Sequence, residues 1–92
     1  MITAILIDDD QHNSIFLSNL IAQFCPQLSV MGTADNVNDG LELIVKLTPQ
    51  LIFLDIELHD KNAIEILKLI DLNEIAVILL TAHEKYAVEM HK

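Results

Sequence analysis

Five residues with reactive or metal-binding side chains stand directly after short apolar runs. Asp8, Asp9 and Asp10 follow "ITAILI", Asp55 follows "LIFL", and Thr81 follows "AVILL". If these runs are neighbouring strands, Asp8, Asp9 and Asp55 converge on one small volume. Carboxylates that close repel one another unless something neutralises them. A hard divalent cation bound through oxygen is the natural partner, and Mg2+, which keeps several waters and takes one or two carboxylates directly, suits a shallow site. A carboxylate beside such an ion can attack phosphorus and become an aspartyl phosphate. Asp55, alone at the end of its run, is the candidate nucleophile, and Thr81 is placed to offer its hydroxyl to a phosphoryl oxygen.

Each signal has a plainer explanation when taken alone. Three aspartates before a helix also describe an N-cap with an acidic first turn. A single aspartate after a strand is commonly a turn residue, and a threonine there is commonly a β-former. Their joint occurrence, one after each of strands one, three and four, favours shared chemistry.

The elements that must position these residues are legible as an alternation. Residues 2 to 7, 51 to 54 and 76 to 80 are nearly continuous apolar runs rich in β-branched residues, the habit of strands buried on both faces of a parallel sheet. "LSVMGTA", residues 28 to 34, is a weaker strand containing Gly32 and suits an edge. From Asn13 to Cys25, Phe16, Leu17, Leu20, Ile21 and Phe24 recur at helical spacing before Pro26. Val37, Leu41, Ile44 and Val45 follow an Asn36 cap and end before Thr48 and Pro49, while Ala63, Ile66, Leu67 and Ile70 follow an Asn62 cap. A fourth helix is expected from about His83, with Tyr86 and Met90 one turn apart. A β-α-β-α-β-α-β-α order with short connections implies a parallel α/β sheet with helices on both faces. Ligands gather in such folds beyond the carboxyl ends of strands where the strand order reverses.

Bulk properties agree with a single small domain over residues 1–92. The chain has 92 residues, 52% of them apolar and 21% charged, within the range of ordinary globular proteins. Its net charge is −9 and its 5 basic residues are all lysine, so the footprint expected for nucleic-acid binding is missing. Cys25, the single cysteine, reads as a packing residue suited to a reducing cytoplasm. No run approaches the roughly 18 apolar residues of a membrane span, and no secretory leader is evident.

"ILIDDDQ", "LIFLDIEL", "KNAIEIL" and "VILLTAHEKYA", in this order and spacing, resemble the receiver domains of two-component response regulators. "TAHEKYAVEM" resembles receivers that precede a DNA-binding output domain of the LytTR type. The resemblance implies a flavodoxin-like fold with strand order 2-1-3-4 in this chain and 2-1-3-4-5 in the complete domain. It also implies a cytoplasmic phosphoacceptor signalling domain, not an enzyme, partnered by a sensor histidine kinase. Carried over residue by residue, Asp55 is the phosphoacceptor, and Asp8 and Asp9 hold Mg2+, Asp9 directly. The Glu57 backbone carbonyl completes the metal shell, Thr81 is the switch hydroxyl, and the Ala82 N–H binds the phosphoryl group.

Some positions depart from the family pattern. His59 stands where proline is usual, Ala63 where glycine is usual, and His12, His83 and His91 show no ligand spacing. Strand five, helix five and the family's phosphoryl-pairing lysine have no counterpart, and Lys85 and Lys92 fall on the wrong element to replace that lysine. Strand four is therefore expected to be an unprotected apolar edge, through which the chain self-associates or exchanges elements with a second copy. Two other readings remain open from the sequence. One is a receiver-like module acting by contact alone. The other is a haloacid-dehalogenase-like phosphatase in which Asp8 and Asp10 form the D-x-D pair.

Overall fold

The computed structural model describes residues 1–56, 58, 63–70 and 73–80. Its elements are β1 (Ile2–Ile7), α1 (Gln11–Phe24), β2 (Leu28–Ala34), α2 (Val37–Leu47), β3 (Leu51–Asp55), α3 (Ala63–Leu69) and β4 (Ala76–Leu80). The four strands form one sheet in the order β2-β1-β3-β4, and every adjacent pair is parallel. The three runs expected to be strands, and the weaker fourth, are all present at their expected places. The expected Asn62 cap and the helix from His83 lie outside the described residues.

The apolar runs become strands because the sheet has two covered faces. Ile5, Ile7, Ile52 and Leu54 point to one face and pack with Val37, Ile44, Leu58 and Ile66 beneath α2 and α3. Ala4, Leu6 and Phe53 point to the other and pack with Ile21 of α1. A strand flanked by helices on both sides has no polar face to show, hence its unbroken hydrophobicity. The entry to β3 is fixed by polar bonds: Gln50 N–H donates to the Thr3 carbonyl at 2.9 Å, and Thr3 N–H donates to Gln50 Oε1 at 3.0 Å. These hold β3 in register beside β1.

β2 is an edge, as its composition suggested, and it carries a bulge. Ala4 pairs with Val30 but Ile5 pairs with Gly32, leaving Met31 as the extra residue. Asn36 caps α2, its side chain accepting from the Asp39 N–H at 2.9 Å. Gly40 lets α2 come close to β1, since a Cβ there would stand 2.7 Å from Ile7 Cδ1.

Two of the apolar stripes divide differently from the sequence expectation. In α1, Leu17 and Ile21 face the sheet, whereas Phe16 and Phe24 are 64% and 69% exposed. In α2, Val37 and Ile44 are buried while Val45 faces water. Periodicity places all of these within one broad arc, but the neighbours present cover only part of that arc. β4 is likewise covered on one face more than the other, with Ile78 45% exposed. Its sheet partner is β3 alone, so its outer edge is open among the described residues.

Candidate functional site

The register of β1 and β3 assembles the site. Ile7 pairs with Leu54, so the next position on each strand, Asp8 and Asp55, emerges at the same level at the carboxyl end of the sheet. Between these strands the chain order reverses: β1 leads outward to β2 on one side, while β3 leads to β4 on the other. Here Asp8, Asp9 and Asp55 each offer a carboxylate oxygen, and those three atoms lie within 4.8 Å of one another. Asp8 and Asp55 are buried at 5% and 9% exposure, and Asp9 is half-buried. The three residues singled out by type and order are thus brought together by topology, from two strands 47 residues apart in sequence by the interval between Asp8 and Asp55.

Backbone bonds hold the rim of this cluster. Asp8 N–H donates to the Ala34 carbonyl at 3.0 Å, extending the β1–β2 ladder to the site itself. Asp10 N–H donates to Asp8 Oδ1 at 2.8 Å, which fixes that carboxylate in a tight turn. Ile56 N–H donates to the Leu80 carbonyl at 3.0 Å, so the end of β4 stays beside the residue that follows Asp55.

The three consecutive aspartates divide into two roles. Asp10 is the N-cap of α1, and its Oδ1 accepts from His12 N–H at 2.9 Å and Asn13 N–H at 3.4 Å. Asp10 is therefore a helix cap, whereas Asp8 and Asp9 lie beside Asp55 in the carboxylate group. With its carboxylate turned to the helix, Asp10 does not serve the D-x-D pair of a phosphatase. Asp55 would also have no part in that arrangement, although the fold places it at the centre of the cluster.

The donor set suits Mg2+: three carboxylates from a turn and a strand end, all hard oxygen ligands. A polar groove of about 490 Å3 opens beside Asp8 and is lined further by Gln11, Ser14, Thr33, Asp35 and Asp39. It flanks the cluster rather than covering it, since neither Asp9 nor Asp55 lines it. Glu57, Thr81 and Ala82, assigned to the metal shell and the phosphoryl group by resemblance, lie outside the described residues, as do His59, His83 and Lys85.

Comparison with known proteins places these features in company. A family model described as the response regulator receiver domain matches residues 4–92. An uncharacterized response regulatory protein of Vibrio cholerae is 36% identical over 90 residues, covering 97% of this chain and 38% of the relative. The sensory transduction protein LytT of Bacillus anthracis is 32% identical over 91 residues, covering 97% of this chain and 37% of that protein. The chain therefore spans little more than a third of the curated relatives it matches. Among solved structures, the response regulator domain of Thermotoga maritima CheB superimposes with a TM-score of 0.79 at 28% identity, covering 99% of this chain and 71% of that one. The response regulator PhyR from Brucella abortus, at 22% identity and a TM-score of 0.79, shares the fold.

Proposed function

The chain belongs to the response regulator receiver domain family of two-component systems, and from that membership and the site geometry we propose that Asp55 is its phosphoacceptor. The observation that carries this reading is the meeting of Asp8, Asp9 and Asp55 within 4.8 Å at the carboxyl ends of adjacent parallel strands. A receiver is a signalling module, and its chemistry is a single transfer. An Asp55 carboxylate oxygen attacks phosphorus of a phosphohistidine on a sensor kinase; the new O–P bond forms as the N–P bond breaks, and the freed imidazole nitrogen takes up a proton from water. Asp8 and Asp9, with Asp55, hold Mg2+, which supplies positive charge for the transferring phosphoryl group. Asp9 would be the direct ligand, the role the family resemblance gives it, and Asp8 is held by its bond from the Asp10 N–H. The Glu57 carbonyl, the Thr81 hydroxyl and the Ala82 N–H have the supporting roles that the family resemblance gives them.

The partner is a histidine kinase in the cytoplasm, and any DNA contact belongs to an output domain in a longer protein. Among the described residues, no helix is long and apolar enough to cross a membrane.

The test is direct. The chain is incubated with MgCl2 and acetyl phosphate, and intact mass and peptide mapping are used to locate an added phosphoryl group. Labelling is expected on Asp55, to be lost in Asp55→Asn and without Mg2+, and to slow in Thr81→Ala. Label on another residue, or labelling of Asp55→Asn at the wild-type rate, overturns the assignment. A chain that takes up no phosphoryl group yet binds its kinase equally as wild type and as Asp55→Asn is a contact module instead.

A further inference from the structure

The polar groove beside Asp8 runs along the β2 side of α1 and has no part in the phosphoryl chemistry. Its volume of about 490 Å3 is that of a small-molecule site. α1 forms one wall from Gln11 to Asn19, roughly 12 Å of helix, and the end of β2 with the turn into α2 forms the other. β2 is the edge of the sheet opposite β4, so the groove lies far from the place where the family resemblance puts a fifth strand.

Negative charge gathers at one end of the groove. Asp8 and Asp35 follow Ile7 and Ala34, which pair across β1 and β2, and Asp39 stands in the first turn of α2. Asn36 Nδ2 donates to Asp35 Oδ1 at 2.7 Å and to Asp39 Oδ2 at 2.9 Å, so one amide holds both carboxylates in place. No basic side chain is among the described residues that line the groove. Asp8, Asp35 and Asp39 do not close to the span that one metal ion needs, as Asp8, Asp9 and Asp55 do. This rim therefore suits a larger cation that carries several N–H donors.

A buried hydroxyl points to an occupant independently of the charges. Ser14 lines the groove at only 7% exposure. Its backbone N–H donates to the Asp10 carbonyl at 3.1 Å, but its hydroxyl has no partner among the described residues. No buried side-chain oxygen among those residues is sealed off without a partner, so the Ser14 hydroxyl opens into the groove. A hydroxyl left unbonded at that depth is costly and favours a ligand that bonds to it. Further acceptors continue along the groove at Ser18, Asn19 and Thr33.

We propose that this groove binds a linear polyamine. One ammonium group lies among the carboxylates of Asp8, Asp35 and Asp39, and the next amine donates to Ser14 Oγ. A linear polyamine carries N–H groups at intervals along an extended chain, which matches acceptors spread along two turns of α1 beyond an acidic rim. A cation with no tail reaches the rim alone. Asp8 also belongs to the carboxylate group with Asp9 and Asp55, so an occupied groove places positive charge beside that group.

Titration of the metal-free chain with spermidine, followed by amide NMR shifts, tests the proposal. It is done at physiological ionic strength, where a Debye length of about 8 Å screens the general pull of the −9 net charge. Saturable binding at one site is expected, with the largest shifts at the residues that line the groove. D35N/D39N should weaken it roughly tenfold and Ser14→Ala about fivefold. E65Q/E74Q removes the same charge from exposed positions on α3 and before β4, and should change the affinity less than about twofold. Ethylammonium, which has one charge and no further amine, should bind at least about tenfold more weakly than spermidine. Equal weakening by the two double variants overturns the proposal, because bulk charge then accounts for the binding. So does unchanged affinity in Ser14→Ala, or ethylammonium binding as tightly as spermidine. None of these results bears on the phosphoacceptor role of Asp55, since neither metal nor phosphodonor is present.

Discussion

The backbone N–H of Asp10 donates to Asp8 Oδ1 at 2.8 Å, while the Asp10 carboxylate turns the other way to cap α1. One turn thus sets the cluster on its β1 side and starts the helix on its α1 side. The two functions are separable because the first uses the Asp10 backbone and the second its side chain.

Asp10→Ala is accordingly expected to cost about 1 kcal/mol of stability through the lost cap, with Asp10→Ser recovering most of it. Urea unfolding measures both. Mg2+ affinity, followed by titration calorimetry, should change less than about threefold in Asp10→Ala but fall more than tenfold in Asp9→Ala. Equal losses in the two variants would make Asp10 a ligand and contradict its assignment as a cap.

With the proposed Mg2+ site at Asp8, Asp9 and Asp55, ion binding is expected to stabilise the folded chain, and the number of charges in the group is expected to matter most when the ion is removed. Asp8→Asn keeps an oxygen acceptor for the Asp10 N–H while removing one charge. In metal-free, low-salt buffer it is expected to be more stable than wild type by on the order of 1 kcal/mol. Saturating Mg2+, at about a hundred times its dissociation constant, should stabilise the wild type by about 2.7 kcal/mol and the variant far less. Thermal unfolding with and without Mg2+ reads both effects, and a metal-free Asp8→Asn that melts below wild type would show that the carboxylates do not repel appreciably.

Much of this arrangement was legible in the residues alone. The strands announce themselves because burial on both faces leaves continuous apolar runs, and the cluster follows once β1 and β3 are neighbours. What periodicity could not resolve is which part of a broad stripe finds a cover. Phe16 and Leu17 are adjacent in the same apolar arc, yet only Leu17 meets the sheet, because the layer on that face contains α1 and, among the described residues, no second helix. The division of Asp8, Asp9 and Asp10 was equally hidden. Capping and metal binding draw on the same residue type, and only the direction of each carboxylate separates them.

Gly40 is a packing position. Its missing Cβ would lie 2.7 Å from Cδ1 of Ile7, a side chain with no exposed surface that sits beneath α2. Gly40→Ala gains up to about 1 kcal/mol in helix propensity, but overpacking against a buried side chain typically costs about 1–3 kcal/mol. A net loss of about 1–2 kcal/mol is expected, and Ile7→Val in the same chain should recover part of it by making room. A Gly40→Ala single variant more stable than wild type in urea would show that Ile7 turns aside without strain.

Thr48 ends α2 in the left-handed region, with φ 42° and ψ 60°, and its N–H donates to the Ile44 carbonyl at 3.0 Å. A β-branched side chain is poorly suited there, because its Cβ crowds the neighbouring carbonyl at a cost of roughly 1–2 kcal/mol. Glycine removes the crowding but starts from a more flexible unfolded chain, which offsets part of the gain. Asparagine tolerates the conformation through its short polar side chain and carries less of that penalty. Thr48→Asn and Thr48→Gly are both therefore expected to stabilise the domain by about 0.5–1 kcal/mol, equivalent to a rise of a few degrees in Tm for a chain of this size. The gain should leave Asp55 labelling unchanged, since Thr48 precedes β3 at the end of the sheet opposite the carboxylates. A lower Tm in both variants would show that the threonine side chain contributes more at this turn than its backbone strain costs.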